Sequence, residues 1–194
     1  NSKCIYNPIN SKEIKKLSIK KINFNFFKKK TINIITIGRL VDQKDHMTTL
    51  KSINHLKDKC NLKLLLLGEG DQKNTLLKYI NQNNLKDIVK IKDRKENPFP
   101  YINKSQILLL SSKFEGLPNV LLEGQSLDKF IISSNCPTGP REILDKGKGG
   151  LLFKVGDHLD LSKKFWFLKT ITKVALRKKD LQKKDWIDLI IKRI

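Results

Sequence analysis

The chain is short of cysteine, of acidic residues and of long apolar runs, and each shortage excludes something. Its 194 residues hold three cysteines, Cys4, Cys60 and Cys136, an odd number at wide spacings without a CxxC pair. That pattern excludes a disulfide framework or structural zinc site and reads as free thiols in a reducing cytosol. No apolar stretch approaches the ~20 residues of a transmembrane helix, and the start carries no signal-peptide pattern. Neither GxGxxG nor GxxxxGK[ST] occurs, which argues against a nicotinamide dehydrogenase and a P-loop NTPase. Asp and Glu number 19 against 40 Lys and Arg, a formal net charge of +21. The surplus has two readings: a polyanionic partner, or the Lys-, Asn- and Ile-rich composition of an AT-rich genome. Lysines run along the whole chain with few aromatics among them, which favours the second.

What is present is a blocked apolar pattern, 39% hydrophobic residues overall, in a chain of single-domain size. Such a chain can bury roughly 70% of its unfolded surface and needs no staples. The blocks alternate between two periods. Strands are predicted over 33–37, 62–67, 87–91, 107–110, 130–133 and 151–153. Helices are predicted over 45–59, around Leu76 to Ile80, over 118–127, 141–144 and 159–168. Leu62 to Leu67 is almost continuously apolar, as a strand covered on both faces must be. Strands separated by helices imply right-handed crossovers, so the predicted class is α/β, a Rossmann-like parallel sheet with helices on both faces. Residues 1–30 read as a linker segment, 31–169 as the Rossmann-like domain and 170–194 as a basic helical segment. In the last, Trp186, Ile187, Leu189 and Ile190 form an apolar stripe that could dock on a neighbouring domain or lie on a membrane. A start at Asn1 reads as a fragment or one domain of a longer protein.

Open parallel sheets bind ligands beyond the carboxyl ends of their strands, so the loops leaving strands carry the candidate site. After the first strand come Gly38, Arg39 and Lys44. Gly38 allows a sharp exit, and a guanidinium fork beside an ammonium suits a diphosphate. Both are equally readable as solvated charges in a lysine-rich chain. After the fourth strand, Phe114, Glu115, Gly116, Leu117 and Asn119 lead into a helix whose first-turn N–H groups can hold an anion. Glu123 follows on that helix. A carboxylate there suits a vicinal diol such as a ribose, or faces water on an amphipathic helix. After the fifth strand, Cys136 to Ile143 is rich in turn formers.

Taken in order, GRLVDQKD, LLLLGEGDQ, FEGLPNVLLEG, CPTGPREIL and GGLLFKVGD resemble the C-terminal domain of retaining glycosyltransferases of the GT-B fold. The resemblance is to the family-4 type, marked by two glutamates separated by seven residues, here Glu115 and Glu123. It runs from about Ile5, at an Ile5-Tyr6-Asn7-Pro8 similar to the family's interdomain linker, to Asp160. Asp45 stands where the family often has glycine, and Gly124 where it usually has alanine.

The resemblance implies a set of roles. Arg39 and Lys44 would hold and stabilise the departing diphosphate, with Gly38 beside them. Glu123 would bind the ribose. Glu115 would contact the donor sugar, near Phe114, the amides of Gly116 and Leu117, and Asn119. The base would lie against the loop near Lys92 to Asn97. It further implies a retaining hexosyltransferase with a UDP-sugar donor and no metal or other cofactor. A glycan or lipid-linked acceptor would be held by a missing N-terminal domain, and the chain alone would transfer little or nothing. If the acceptor is lipid-linked, the basic surface gains a role in holding a cytoplasmic enzyme to the anionic inner face of the membrane. His46, His55 and His158 read as surface or packing residues. The alternatives left by the residues are a basic nucleic-acid-binding module and an inactive remnant.

Overall fold

A computed structural model describes residues 9–177 of the chain. Cys4, the Ile5–Pro8 stretch and the apolar stripe at Trp186 to Ile190 lie outside the described residues. Six parallel strands form one sheet in the order β3-β2-β1-β4-β5-β6. These are β1 (Ile32–Ile37), β2 (Leu62–Leu67), β3 (Val89–Lys92), β4 (Ile107–Leu110), β5 (Phe130–Ser134) and β6 (Leu151–Phe153). The helices are α1 (Ser11–Ser18), α2 (His46–Leu56), α3 (Lys73–Gln82), α4 (Phe99–Lys104), α5 (Asn119–Ser126), α6 (Pro140–Ile143) and α7 (His158–Arg177).

Strand side chains alternate between faces, so two cores form. Ile34, Leu64 and Leu66 join Leu50 and Ile53 of α2, Leu76 of α3, and Leu161 and Phe165 of α7. On the opposite face, Ile35, Leu65 and Leu67 join Ile14 of α1, Tyr101 and Ile102 of α4, and Leu121 of α5. The Rossmann-like α/β expectation is met. Strand order reverses between β1 and β4, where the ladder pairs Ile34 with Ile107 and Ile35 with Leu108. In an open parallel sheet such a reversal is where a crevice forms beyond the carboxyl ends of the central strands.

The segment read as a linker is built into the domain over its described part. Asn10 caps α1 by accepting from the Glu13 N–H, and Ile14 is buried. Beyond the helix, Phe24 is buried with its ring 5.1 Å from Tyr101. The lysines of α1 face water and hide its single apolar contact row, which explains the linker reading. Helix α4 also has no counterpart in the sequence reading, because a proline and six residues leave no visible period. Helix α7 runs on past residue 169 to Arg177.

Candidate functional site

Two loops meet over the reversal point, and glycines let them approach. A Cβ on Gly68, at the end of β2, would lie 1.8 Å from the Gly38 carbonyl oxygen, so only glycine fits beneath the β1 loop. Beyond Gly38 the chain makes a single 3-10 turn at Asp42–Lys44 and passes through Asp45 at φ 43. This left-handed conformation favours glycine, and Asp45 tolerates it because its carboxylate caps α2 by accepting from the Thr48 N–H. The 3-10 turn brings Lys44 back toward the β4 loop.

There the Lys44 ammonium donates to Glu115 Oε1 at 2.5 Å, with 17% and 9% of the two side chains exposed. Ser112, fully buried, donates its hydroxyl to the same oxygen at 2.5 Å. The backbone around the pair is tied down as well. Ser111 Oγ donates to the Lys44 carbonyl at 2.8 Å, Lys113 N–H to the Gln43 carbonyl at 2.8 Å, and Gln43 Nε2 to the Phe114 carbonyl at 3.0 Å. Thr138, on the β5 loop, donates its hydroxyl to the Glu115 carbonyl. Thr138 has φ 61, unusual for a β-branched residue, and conformations of this kind cost on the order of 1–3 kcal/mol. Next to it, Gly139 at φ 72 packs against the Gly116 carbonyl.

The remaining candidates lie on the same loops and on α5. Arg39 is exposed, and its guanidinium makes no hydrogen bond or ion pair among the described residues. Its carbonyl accepts from His46 Nε2 at 3.2 Å, which fixes the neutral tautomer with the proton on Nε2. His46 is buried, and burial lowers its pKa to about 4. His55 is exposed and His158 half-buried. Phe114 is 58% exposed at the rim, Gly116 and Asn119 are exposed, and Leu117 is half-buried. Helix α5 follows Pro118, and no side chain caps it. Glu123 sits half-buried on α5 with no side-chain partner among the described residues, and desolvation pushes its pKa up. The loop after β3 is tethered by a 2.6 Å ion pair between Asp93 and Lys73 of α3. Among the described residues no cluster of three or more His, Cys, Asp or Glu side chains could hold a metal ion.

The sequence reading singled out Glu115 and Lys44 separately. It gave no special place to Ser112 or Thr138, whose contacts with Glu115 depend on a buried hydroxyl and a left-handed threonine. Neither leaves a local pattern in sequence.

An open parallel sheet with the Lys44–Glu115 pair at its reversal point defines the class: a Rossmann-like α/β domain. The family model of the group 1 glycosyl transferases matches residues 18–179, and the chain belongs to that family. One relative is an N-acetylgalactosaminyltransferase of Campylobacter jejuni, named for a diphospho-undecaprenol-linked acceptor. It is 33% identical over 71% of this chain and 36% of its own length. The capsular polysaccharide biosynthesis glycosyltransferase CapH of Staphylococcus aureus is 30% identical over 86% of this chain and 46% of its own. The chain thus spans less than half the length of either relative. Among solved structures, HepE of Anabaena in complex with UDP superposes with a TM-score of 0.68 at 14% identity, over 84% of this chain and 48% of that one. The likeness bears out the Rossmann-like half of a GT-B fold expected from the sequence.

Proposed function

We propose that this chain is the donor-binding half of a retaining hexosyltransferase that takes its sugar from a nucleoside diphosphate sugar, with UDP the expected carrier. The observation that carries the reading is the Lys44–Glu115 pair, which joins the loops of β1 and β4 at the reversal point of the sheet. In this reading Arg39 and Lys44 take the diphosphate. Lys44 arrives already oriented, and the exposed Arg39 fork completes the clamp. The amides around Gly116 and Leu117 add partial positive charge at the start of α5, so the leaving diphosphate is neutralised by protein dipoles and cations with no metal ion. Glu123 accepts the ribose hydroxyls, which would supply the partners its carboxylate lacks. Glu115 keeps one oxygen for a sugar hydroxyl while Oε1 serves Lys44 and Ser112. Phe114 and Asn119 line the mouth beside Gly38, and the base lies toward Lys92 to Asn97.

The acceptor belongs to the part of the relatives that this chain does not span. The Campylobacter and Staphylococcus names support a glycan or lipid-linked acceptor. The working place is the cytoplasmic face of a membrane, and the chain alone transfers little or no sugar. Among the described residues no helix is long and apolar enough to cross a membrane.

Calorimetric titration with UDP and UDP-sugars tests the reading, with wild type beside Arg39→Ala and Glu123→Ala. A dissociation constant on the order of 0.1–1 mM is expected for a half-site, weakened in both variants. Saturable binding unchanged by both substitutions, or no binding to any nucleotide, would overturn it.

A further inference from the structure

The lysine surplus looks even along the chain, but the loops at the two ends of the sheet differ in charge. Segments that leave strands toward the crevice, 38–45, 68–72, 93–98, 111–118, 135–139 and 154–157, hold six Lys and Arg against eight Asp and Glu. Segments that lead into strands, 25–31, 57–61, 83–88, 105–106, 127–129 and 144–150, hold nine against four. The loops at the crevice end are therefore close to neutral, and those at the opposite end are basic.

That basic end also carries aromatic rings. Lys63 and Lys90 stand over the Phe26 ring at 5.2 and 5.9 Å, and Phe26 contacts Phe27 and Phe24. Lys28, Lys29 and Lys30 follow directly, all exposed. On the other face, Trp166 of α7 is 47% exposed with Lys169 4.6 Å above its ring, and the same ammonium donates to the Lys59 carbonyl. Lys59 and Lys63 line one shallow hollow. A continuous path thus runs from Trp166 through Lys169, Lys59 and Lys63 to Phe26. No ion pair among the described residues neutralises Lys59, Lys63 or Lys90.

We infer that this basic, ring-bearing edge where the strands begin is a docking surface for an anionic phospholipid bilayer. Two features favour lipid over a nucleic acid. First, a Trp ring with lysines beside it matches the headgroup level of a bilayer, where amphipathic rings settle and long ammonium side chains reach to phosphates. Second, the edge is placed to spare the crevice. At ~3.3 Å per residue, the six residues of β1 separate the two ends by about 20 Å. The negative potential of an anionic leaflet decays over a Debye length of about 8 Å at physiological salt. Docking by this edge would hold the membrane close while an anionic donor approaches a crevice outside that field, and of the acceptors proposed above this placement favours a glycan chain that extends away from the membrane over a group at its surface. The inference extends the membrane placement proposed above but needs no transferase activity for its test.

The test is co-sedimentation of the whole chain with phosphatidylcholine vesicles, with and without phosphatidylglycerol. Expected is binding only to the phosphatidylglycerol vesicles, lost progressively with salt. It should weaken at least about tenfold in a Lys63→Glu/Lys90→Glu variant, since each basic residue near such a surface contributes on the order of 1 kcal/mol. Lys154→Glu, an exposed reversal at the crevice end, should bind as wild type does. Trp166 emission in a Trp186→Phe background should shift to the blue on vesicle addition, a readout that needs no charge variant. UDP titration of the same variants reports on the donor site separately. Binding indifferent to phosphatidylglycerol, equal loss in Lys154→Glu, or no shift of Trp166 emission would each overturn the inference. So would tighter binding to duplex DNA or RNA at the same salt, lost in the Lys63→Glu/Lys90→Glu variant.

Discussion

Lys44 and Glu115 are 71 residues apart in the chain and 2.5 Å apart in space. Each is the nearest counter-charge the other has, and both are largely shielded from water. A diphosphate bound as proposed must therefore compete with Glu115 for the same ammonium. Lys44→Met should weaken UDP binding and, by stranding the carboxylate, cost on the order of 1–3 kcal/mol in urea unfolding. Glu115→Gln should cost a similar amount of stability yet leave UDP affinity equal or tighter, because Lys44 is released. The double variant should recover part of the summed loss. Equal weakening of UDP by both single substitutions would show that the pair does not compete with the ligand.

Glu123 lends itself to a pH measurement. Burial raises its pKa above the ordinary glutamate value, so through that window the folded chain keeps a proton that the unfolded chain has released. Stability must then fall as pH rises from the unfolded pKa through the folded one. Glu123→Gln removes that penalty. Urea midpoints of wild type and variant should agree near about pH 4 and separate by about pH 7, with the variant the more stable. If ribose hydroxyls donate to the carboxylate, UDP binding lowers its pKa again and releases protons. Titration in two buffers of different ionisation enthalpy detects that release, and its absence in wild type would remove Glu123 from the ribose.

Much of the sheet was legible because parallel strands buried on both faces must be continuously apolar. Leu62 to Leu67 and Ile107 to Leu110 announce themselves, and the strand bounds there agree with the structure. At β3 the signal weakens. An edge strand of four residues alternates Val89 and Ile91 with Lys90 and Lys92, and its bounds shift from 87–91 to Val89–Lys92. Helix α1 was illegible because Ile14 alone carries its apolar burial, while the phenylalanines that complete the packing lie beyond its end. The crevice loops were legible by their position after strands. The Ser112 and Thr138 contacts were not, since they arise from tertiary approach. The charge difference between the two sets of loops is hidden for a related reason: the chain alternates between the two ends of the sheet at every crossover, so a linear scan averages them.

His46 couples the β1 loop to acid stability. It is neutral in the folded chain, with its pKa lowered from 6.5 to about 4, chiefly by burial. The unfolded chain takes up a proton below pH 6.5 that the folded one refuses, so stability present above that value is lost as pH falls toward about 4. The loss approaches ~3 kcal/mol over that interval. His46→Gln keeps an N–H that can reach the Arg39 carbonyl and should flatten this part of the stability curve. Urea unfolding at a series of pH values checks it, and an unchanged acid limb in the variant would assign the loss to other groups.

Gly139 and Gly116 separate a structural demand from a ligand's demand. A Cβ on Gly139 would lie 2.1 Å from the Gly116 carbonyl oxygen and 2.6 Å from Pro118 Cδ, at a φ of 72. Gly139→Ala must push the β5 loop away from the β4 loop and with it Thr138, which donates to the Glu115 carbonyl. A loss above about 1 kcal/mol in thermal or urea unfolding is expected, with weaker UDP binding. Gly116 has nothing within 4 Å of its would-be Cβ and no positive φ. Gly116→Ala should therefore leave the unfolding midpoint within about 0.5 kcal/mol of wild type. If the Gly116 amide approaches a phosphate or sugar oxygen, the added methyl intrudes on the ligand alone, and UDP-sugar affinity should drop while stability does not. A Gly116→Ala variant that binds UDP-sugars as wild type does would place the donor away from this backbone.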